Sequence, residues 1–203
     1  MKKNKFSKNW VIKQKRDIYV KQSKIEGYRS RAVYKLQEIN KKFKILKNGC
    51  NIVDLGAAPG SWSEFISRNF KNIKIVSIDL KEMKKIKYVY QIKGDFKDKL
   101  QQKKIIDYFG NKIDTVISDM AVNTTGNKNL DSMVTGELSI EALNFSINTL
   151  KKQGCFVSKI FMGSSFNEIV NIAKKKFKEV NVYKPPASRK DSKESFIICK
   201  ILR

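Results

Sequence analysis

Histidine is absent from all 203 residues. That excludes any mechanism built on an imidazole base, a Ser-His-Asp triad or a histidine metal ligand. Cysteine is scarce: Cys50, Cys155 and Cys199 are an odd number without C-x-x-C spacing. They make neither a zinc site on their own nor a disulfide framework. Each lies in or beside an apolar run, so they read as small buried hydrophobes in a reducing compartment. No stretch approaches the ~18 consecutive apolar residues of a membrane span. The first residues, Met1-Lys-Lys-Asn-Lys-Phe-Ser-Lys-Asn-Trp, lack an apolar h-region, and Arg16 is the first arginine. Neither a secretory nor a mitochondrial leader is expected, and the expected location is the cytoplasm, with no membrane partner.

Acids are also few, and that shortage is informative. There are 19 acidic residues against 43 basic ones, for a net charge of +24. Such a field favours a polyanion, and nucleic acid is the default partner. Only six of the basic residues are arginine, and an A/T-rich genome would produce a lysine bias without selection for function. The distribution argues further. Residues 1–47 hold 16 Lys/Arg and three acids. Over half of the excess charge sits in under a quarter of the chain, which genome bias alone does not explain.

Apolar residues are 41% of the chain, enough for a sizeable core. Residues 1–28 are polar, basic and weakly periodic, and read as an arm with room for one short helix. Residues 29–203 read as one domain. Val33, Leu36 and Ile39, with Tyr34 and Phe43, predict an amphipathic helix over 30–43 with Ser30 as N-cap. Strands are predicted at Asn51–Leu55, Ile73–Asp79, Tyr88–Lys93, Ile113–Ser118, Cys155–Met162, Glu179–Tyr183 and Ser195–Leu202. Helical patterns lie between most of them, at Trp62–Phe70, Phe96–Phe109, Thr135–Leu150 and Ser165–Lys176. This alternation predicts an α/β fold with a mainly parallel, seven-stranded sheet covered on both faces. Pro185-Pro186 leaves no room for a packed helix before the last strand, so the final two strands are expected to be antiparallel.

The chemistry-bearing segments fall at strand ends, where open α/β sheets bind ligands. Val53-Asp-Leu-Gly-Ala-Ala-Pro-Gly-Ser-Trp62 is a strand, a turn of small residues and a helix start. Gly56 and Gly60 allow close backbone approach. The spacing is not G-x-G-x-x-G, and Asp54 would repel a pyrophosphate, so a small cationic nucleoside such as S-adenosylmethionine fits better than a dinucleotide. Asp79 ends the next strand, as an acid receiving ribose hydroxyls does. Asp95 ends the third strand and is placed either to face an adenine amino group or to cap a helix. Asp119 ends the fourth, ahead of the polar Asn-Thr-Thr-Gly. Lys159 interrupts the apolar run Phe156-Val-Ser-Lys-Ile-Phe-Met, where an unpaired charge is costly. Glu194 and Lys35 carry no signal of their own.

Taken together, these blocks resemble the FtsJ-like (RrmJ) family of ribosomal RNA ribose 2′-O-methyltransferases. The likeness covers nearly the whole chain. It runs through Tyr28-Arg-Ser-Arg-Ala-Val-Tyr-Lys-Leu-Gln-Glu-Ile, Asp54-Leu-Gly-Ala-Ala-Pro-Gly-Ser-Trp, Gly94-Asp-Phe, Ser118-Asp-Met-Ala and Ser188-Arg-Lys-Asp-Ser-Lys-Glu. The resemblance implies a Rossmann-like methyltransferase fold and a catalytic tetrad at Lys35, Asp119, Lys159 and Glu194. It also implies S-adenosyl-L-methionine contacts at Gly60, Trp62, Asp79, Asp95 and Asp119, beside Gly56 from the turn. Its suggested substrate is a uridine in the A-loop of large-subunit rRNA (23S type), within the large ribosomal subunit. Three positions depart from the family's pattern: Val122 for Pro, Ser61 for Gly, and Gly163-Ser-Ser-Phe for Gly-x-Gly-Phe.

The reaction then implied is an in-line attack of a ribose 2′-hydroxyl on the sulfonium methyl. With no histidine, Lys159 is the candidate base, oriented by Asp119 and Glu194, while Lys35 steadies the ribose or the developing oxyanion. An ordinary lysine, pKa ~10.4, is only ~0.04% neutral at pH 7, so a lysine base depends on burial and neighbouring cations. RNA contacts are expected at Lys13, Lys15, Arg16, Lys21, Lys24, Arg29, Arg31 and Arg189. A monomer is the default. The competing readings are a small-molecule or protein methyltransferase, a nicotinamide oxidoreductase and, most seriously, a non-catalytic RNA-binding ribosome-assembly factor.

Overall fold

The computed structural model describes residues 17–110, 112–121, 128–163 and 165–203, with the side chains of 128–132 left aside. Lys13, Lys15, Arg16, Val122 and Ser164 lie outside the described residues. Seven strands form one sheet: β1 (Asn51–Leu55), β2 (Lys74–Asp79), β3 (Val89–Lys93), β4 (Ile113–Ser118), β5 (Leu150–Phe161), β6 (Phe177–Tyr183) and β7 (Glu194–Leu202), in the order β3-β2-β1-β4-β5-β7-β6. β1 to β5 run parallel, and β7 lies antiparallel between β5 and β6. The expected α/β architecture and its antiparallel closing pair are both present. β5 starts earlier than its apolar run suggests, because Leu150 pairs with Ile113 ahead of a register irregularity and Cys155 then pairs with Thr115.

Alternation along the strands splits the core in two. Val53, Leu55, Val116, Phe156 and Ile197 face one side, against helices α4 (Lys99–Phe109), α5 (Lys128–Thr149) and α6 (Phe166–Lys176). Ile52, Ile117, Val157, Phe196 and Ile198 face the other, against α2 (Ala32–Phe43) and α3 (Ser61–Asn69). Leu36 and Ile39, three apart on α2, are fully buried, each contributing roughly 1.5–3 kcal/mol of burial. That pins α2 to the sheet and fixes which way Lys35, the residue before Leu36, can point. Arg31 holds the cap position, but the capping bond comes from Ser30 as expected: its Oγ accepts from the Ala32 N–H at 3.3 Å and also bonds Ser61 Oγ at 2.7 Å, which ties α2 to α3.

A short helix, α1 (Ile18–Ile25), precedes α2, capped by Asp17, whose carboxylate accepts from the Tyr19 and Val20 N–H groups. Tyr19 packs on Tyr34 with ring centroids 5.2 Å apart. Among the described residues no helix is long and apolar enough to cross a membrane.

Candidate active site

β1 pairs with β2 on one side and β4 on the other, so the chain's winding reverses at β1 and a crevice opens at the strand carboxyl ends. A cavity of about 520 Å³ lies there, lined by Gly56, Asp79, Asp95, Phe96, Asp119 and Met120 among others. Gly56 has φ +68°, and a Cβ on it would lie 2.0 Å from Met120 Cγ, so any side chain there is strained and must displace Met120. Asp79 Oδ2 accepts from the Ala58 N–H at 2.9 Å and Oδ1 from the Lys81 N–H at 2.7 Å. The carboxylate thereby shapes the loop and keeps lone pairs for a ligand. Asp95 accepts from Lys97 N at 3.0 Å, and the cap of α4 is Asp98, not Asp95.

The four expected catalytic residues converge from four elements. Lys35 comes from α2, Asp119 follows β4, Lys159 lies within β5 and Glu194 opens β7. Lys159 Nζ donates to the Asp119 main-chain oxygen at 2.7 Å and lies 3.1 Å from Asp119 Oδ1. Lys35 Nζ lies 3.0 Å from Glu194 Oε1 and 3.5 Å from Asp119 Oδ2. Asp119 thus sits between two ammoniums. Glu194 differs from expectation, since it pairs with Lys35 rather than with the base candidate. The register explains this: Phe196, not Glu194, stands opposite Lys159 on β7.

Burial alone would raise the Asp119 carboxyl, but Lys159 and Lys35 outweigh it and hold it below the ordinary carboxylate range. Burial likewise pushes the Lys35 ammonium down, and Asp119 with Glu194 more than reverse this, so Lys35 is held above the usual lysine value. Lys35 is therefore the fixed cation of the group.

A second cavity of about 420 Å³ opens on the far side of this group, lined by Lys35 and Glu194 together with Arg31, Arg189 and Ser192. Asp17, which no sequence motif singles out, organises its wall. The Asp17 carboxylate pairs with Arg31 and lies 3.4 Å from Arg189 Nε, and Arg31 also donates to the Ala187 carbonyl. Lys21 and Lys24 are exposed on α1. Arg29, by contrast, is engaged inside the protein, donating to the Pro59, Lys84 and Lys85 carbonyls. Of the cofactor residues, Gly60 heads α3 and Trp62 is buried in the core, its Nε1 donating to Ala32 O at 2.8 Å. Neither lines the 520 Å³ cavity.

A family model described as FtsJ-like methyltransferase matches residues 28–202. The chain belongs to that family. Among its relatives is the Ribosomal RNA large subunit methyltransferase E of Pelagibacter ubique, 64% identical over 203 residues and covering 100% of both chains. The protein of that name from Rickettsia akari is 44% identical over 198 residues, 95% of this chain and 87% of that one. A solved structure of a Plasmodium falciparum protein assigned as a ribosomal RNA methyltransferase superposes with a TM-score of 0.77. It is 33% identical and covers 86% of this chain and 98% of its own.

In this FtsJ-like methyltransferase the first motif acid, Asp54, does not face the ligand cavity. It is buried beneath α3, accepting from Ser63 Oγ at 2.7 Å. Burial pushes its carboxyl up to about 7. The unfolded chain ionises near pH ~3.9, so between these values only the unfolded state is charged, and stability falls as pH rises through that window. Asp54→Asn keeps an acceptor for Ser63 and removes the ionisation. The variant is expected to gain on the order of 3 kcal/mol over wild type at pH 8 and little at pH 4. Thermal midpoints across that range test this; parallel pH curves for the two proteins would refute it.

Proposed function

We propose that this methyltransferase moves a methyl group from S-adenosyl-L-methionine to a ribose 2′-hydroxyl of large-subunit ribosomal RNA. The observation that carries the reading is the Asp119 carboxylate held between two lysine ammoniums, with a cavity on either side. The residues of the 520 Å³ cavity suit the cofactor. Three carboxylates, Asp79, Asp95 and Asp119, face it with the apolar Phe96 and Met120, a set matched to ribose hydroxyls, a cationic centre and a flat base. Asp119 Oδ1 is buried against Lys159 Nζ at 3.1 Å, so the carboxylate that borders the cofactor cavity is already tied to the base candidate. The names of the relatives support large-subunit ribosomal RNA; the finer reading, a uridine in the A-loop of 23S-type rRNA within the large subunit, rests on the family resemblance. The same reading has the protein working as a monomer in the cytoplasm.

Bound in that cavity, S-adenosylmethionine supplies an electrophilic methyl carbon and a positive charge. The protein's part is alignment and proton transfer. Lys35, Lys159, Asp119 and Glu194 sum to zero charge, so added positive charge favours release of a proton from one ammonium. Lys35, clamped by both carboxylates, keeps its own. Lys159 Nζ, aimed by the Asp119 carbonyl and carboxylate, is the atom that accepts the 2′-hydroxyl proton. Lys35 offers a fixed positive charge to the oxygen as that proton leaves. On the second cavity's rim Arg189 would meet RNA phosphate, with Lys21, Lys24 and the basic residues Lys13, Lys15 and Arg16 extending the track. Arg31 and Arg29 serve it through the backbone that they hold.

The test is transfer of a labelled methyl group to naked large-subunit rRNA and to undermethylated large subunits, with the product mapped as a 2′-O-methyl nucleotide. Label on RNA and none on DNA of the same sequence is expected, because only RNA carries the acceptor hydroxyl. With six or more phosphate contacts, affinity should fall ~10³-fold or more between 50 and 200 mM salt. Cofactor binding without transfer to either RNA would instead favour a non-catalytic assembly factor.

A further inference from the structure

Arg29 leads to a surface that the catalytic group does not use. Its guanidinium donates to Lys84 O at 2.7 Å and to Lys85 O at 2.9 Å. Gln91 holds the same stretch, donating to Lys84 O at 3.2 Å and accepting from Ile86 N at 2.8 Å. Ile86 itself is buried, close to Gly60, where a Cβ would meet Ile86 Cδ1 at 2.6 Å. Residues 80–88 form neither helix nor strand, yet their backbone is pinned from within at consecutive positions.

The pinned stretch displays Lys84, Lys85, Lys87 and Tyr88, all exposed. The nearby carboxylates of Glu82 and Asp95 pair with Lys93 and Lys97 instead. Tyr88 is 72% exposed, and Lys87 Nζ stands 4.7 Å from its ring centroid. Its φ is +64°, a region where Asn or Gly would sit with less strain. Beside it, Tyr90 and Tyr108 stack with centroids 4.7 Å apart and planes 9° from parallel, and both are exposed.

We propose that residues 84–88, with the Tyr90–Tyr108 stack, are a second RNA-contact surface that takes an unstacked base on Tyr88 and phosphates on Lys84, Lys85 and Lys87. The proposal rests on the RNA-methyltransferase reading above and adds a site that the basic arm does not include. Three lysines without carboxylate partners among the described residues call for a polyanion. Exposed tyrosine faces among them suit bases, which stack on aromatic rings whatever their identity. A fixed backbone keeps that display ready at low ordering cost. The stretch begins at Leu80 and Lys81, which line the cofactor cavity, so the surface lies beside the cofactor site. Arg29 is then a positioning residue for RNA, acting through Lys84 and Lys85.

The test measures binding of naked large-subunit rRNA across a salt series, for wild type, Tyr88→Asn and the triple change Lys84→Gln, Lys85→Gln, Lys87→Gln. Asn tolerates the backbone at 88; Tyr88→Gly replaces it if the first variant does not fold. Thermal midpoint and S-adenosylhomocysteine binding report folding. Tyr88→Asn is expected to weaken RNA binding roughly tenfold with an unchanged salt slope. The triple variant is expected to flatten the slope of log affinity against log salt by about 2. Wild-type affinity in a folded Tyr88 variant overturns the proposal whatever the lysines do. Methyl transfer by the wild type to the same RNA is followed in parallel: its failure counts against the function reading, and the variant-to-wild-type ratio judges the surface alone.

Discussion

Lys159→Met is expected to fold and to hold cofactor, yet to transfer methyl groups ~10²–10⁴-fold more slowly, the usual contribution of a positioned general base. Methionine fills much of the lysine's volume inside an apolar strand, so packing around Phe156 and Ile160 is kept. Asp119 keeps Lys35 as counter-ion at 3.5 Å, and the buried carboxylate is not stranded. What disappears is the one amine bonded to both the main chain and the carboxylate of Asp119. Single-turnover rates with saturating cofactor and RNA measure the effect. Turnover within a few-fold of wild type would remove Lys159 from the role of base.

Asp119→Asn is expected to be the most disruptive single change, because it strikes both chemistry and stability. Neutralising the shared carboxylate leaves two buried ammoniums facing one remaining acid, Glu194, which touches only Lys35. Removing one partner of a buried ion pair costs ~3–5 kcal/mol, or roughly 10 °C in thermal midpoint for a domain of this size. The pH dependence identifies the cause. Asp119 is held below the ordinary carboxylate value, so its stabilising contribution is complete above the unfolded pKa of ~3.9. It is lost only as pH falls through the lower folded value. The gap between wild type and variant should be full at pH 7 and narrow below pH ~3. A gap that does not change with pH would point to lost hydrogen-bond geometry rather than lost charge.

Much of this arrangement was legible before any coordinate. Strand alternation placed Asp79 and Asp119 at carboxyl ends, and Gly56 marked the turn between β1 and α3. Lys159 announced itself because a charge within Phe156–Met162 is costly to bury unless a partner is present. Lys35 and Glu194 had no such mark: one is a lysine among 37 and the other an acid beside a turn. Only the resemblance to a family singled them out. The pairing of Glu194 with Lys35 could not be read from any local pattern, because it depends on the register of β7 against β5. Asp17 was invisible for a related reason. A cap residue looks the same in sequence whether or not two distant arginines fold onto its carboxylate. Arg29 and Arg31 read as RNA contacts by charge alone, whereas the fold turns their guanidiniums onto carbonyls 30 to 156 residues away.

By itself, then, the sequence determined the α/β class, the polyanionic partner class, the exclusion of histidine chemistry and the strand ends where ligands gather. These follow from periodicity, net charge and residue type, which are local or additive properties. The tertiary structure alone decided that Lys35 is shared between Asp119 and Glu194 while Lys159 pairs with Asp119. It also decided which basic side chains remain outside, and that residues 84–88 stand as a fixed surface. Those outcomes depend on distances of a few ångströms between elements far apart in the chain, where Coulomb energy and desolvation vary too steeply for any sequence pattern to encode.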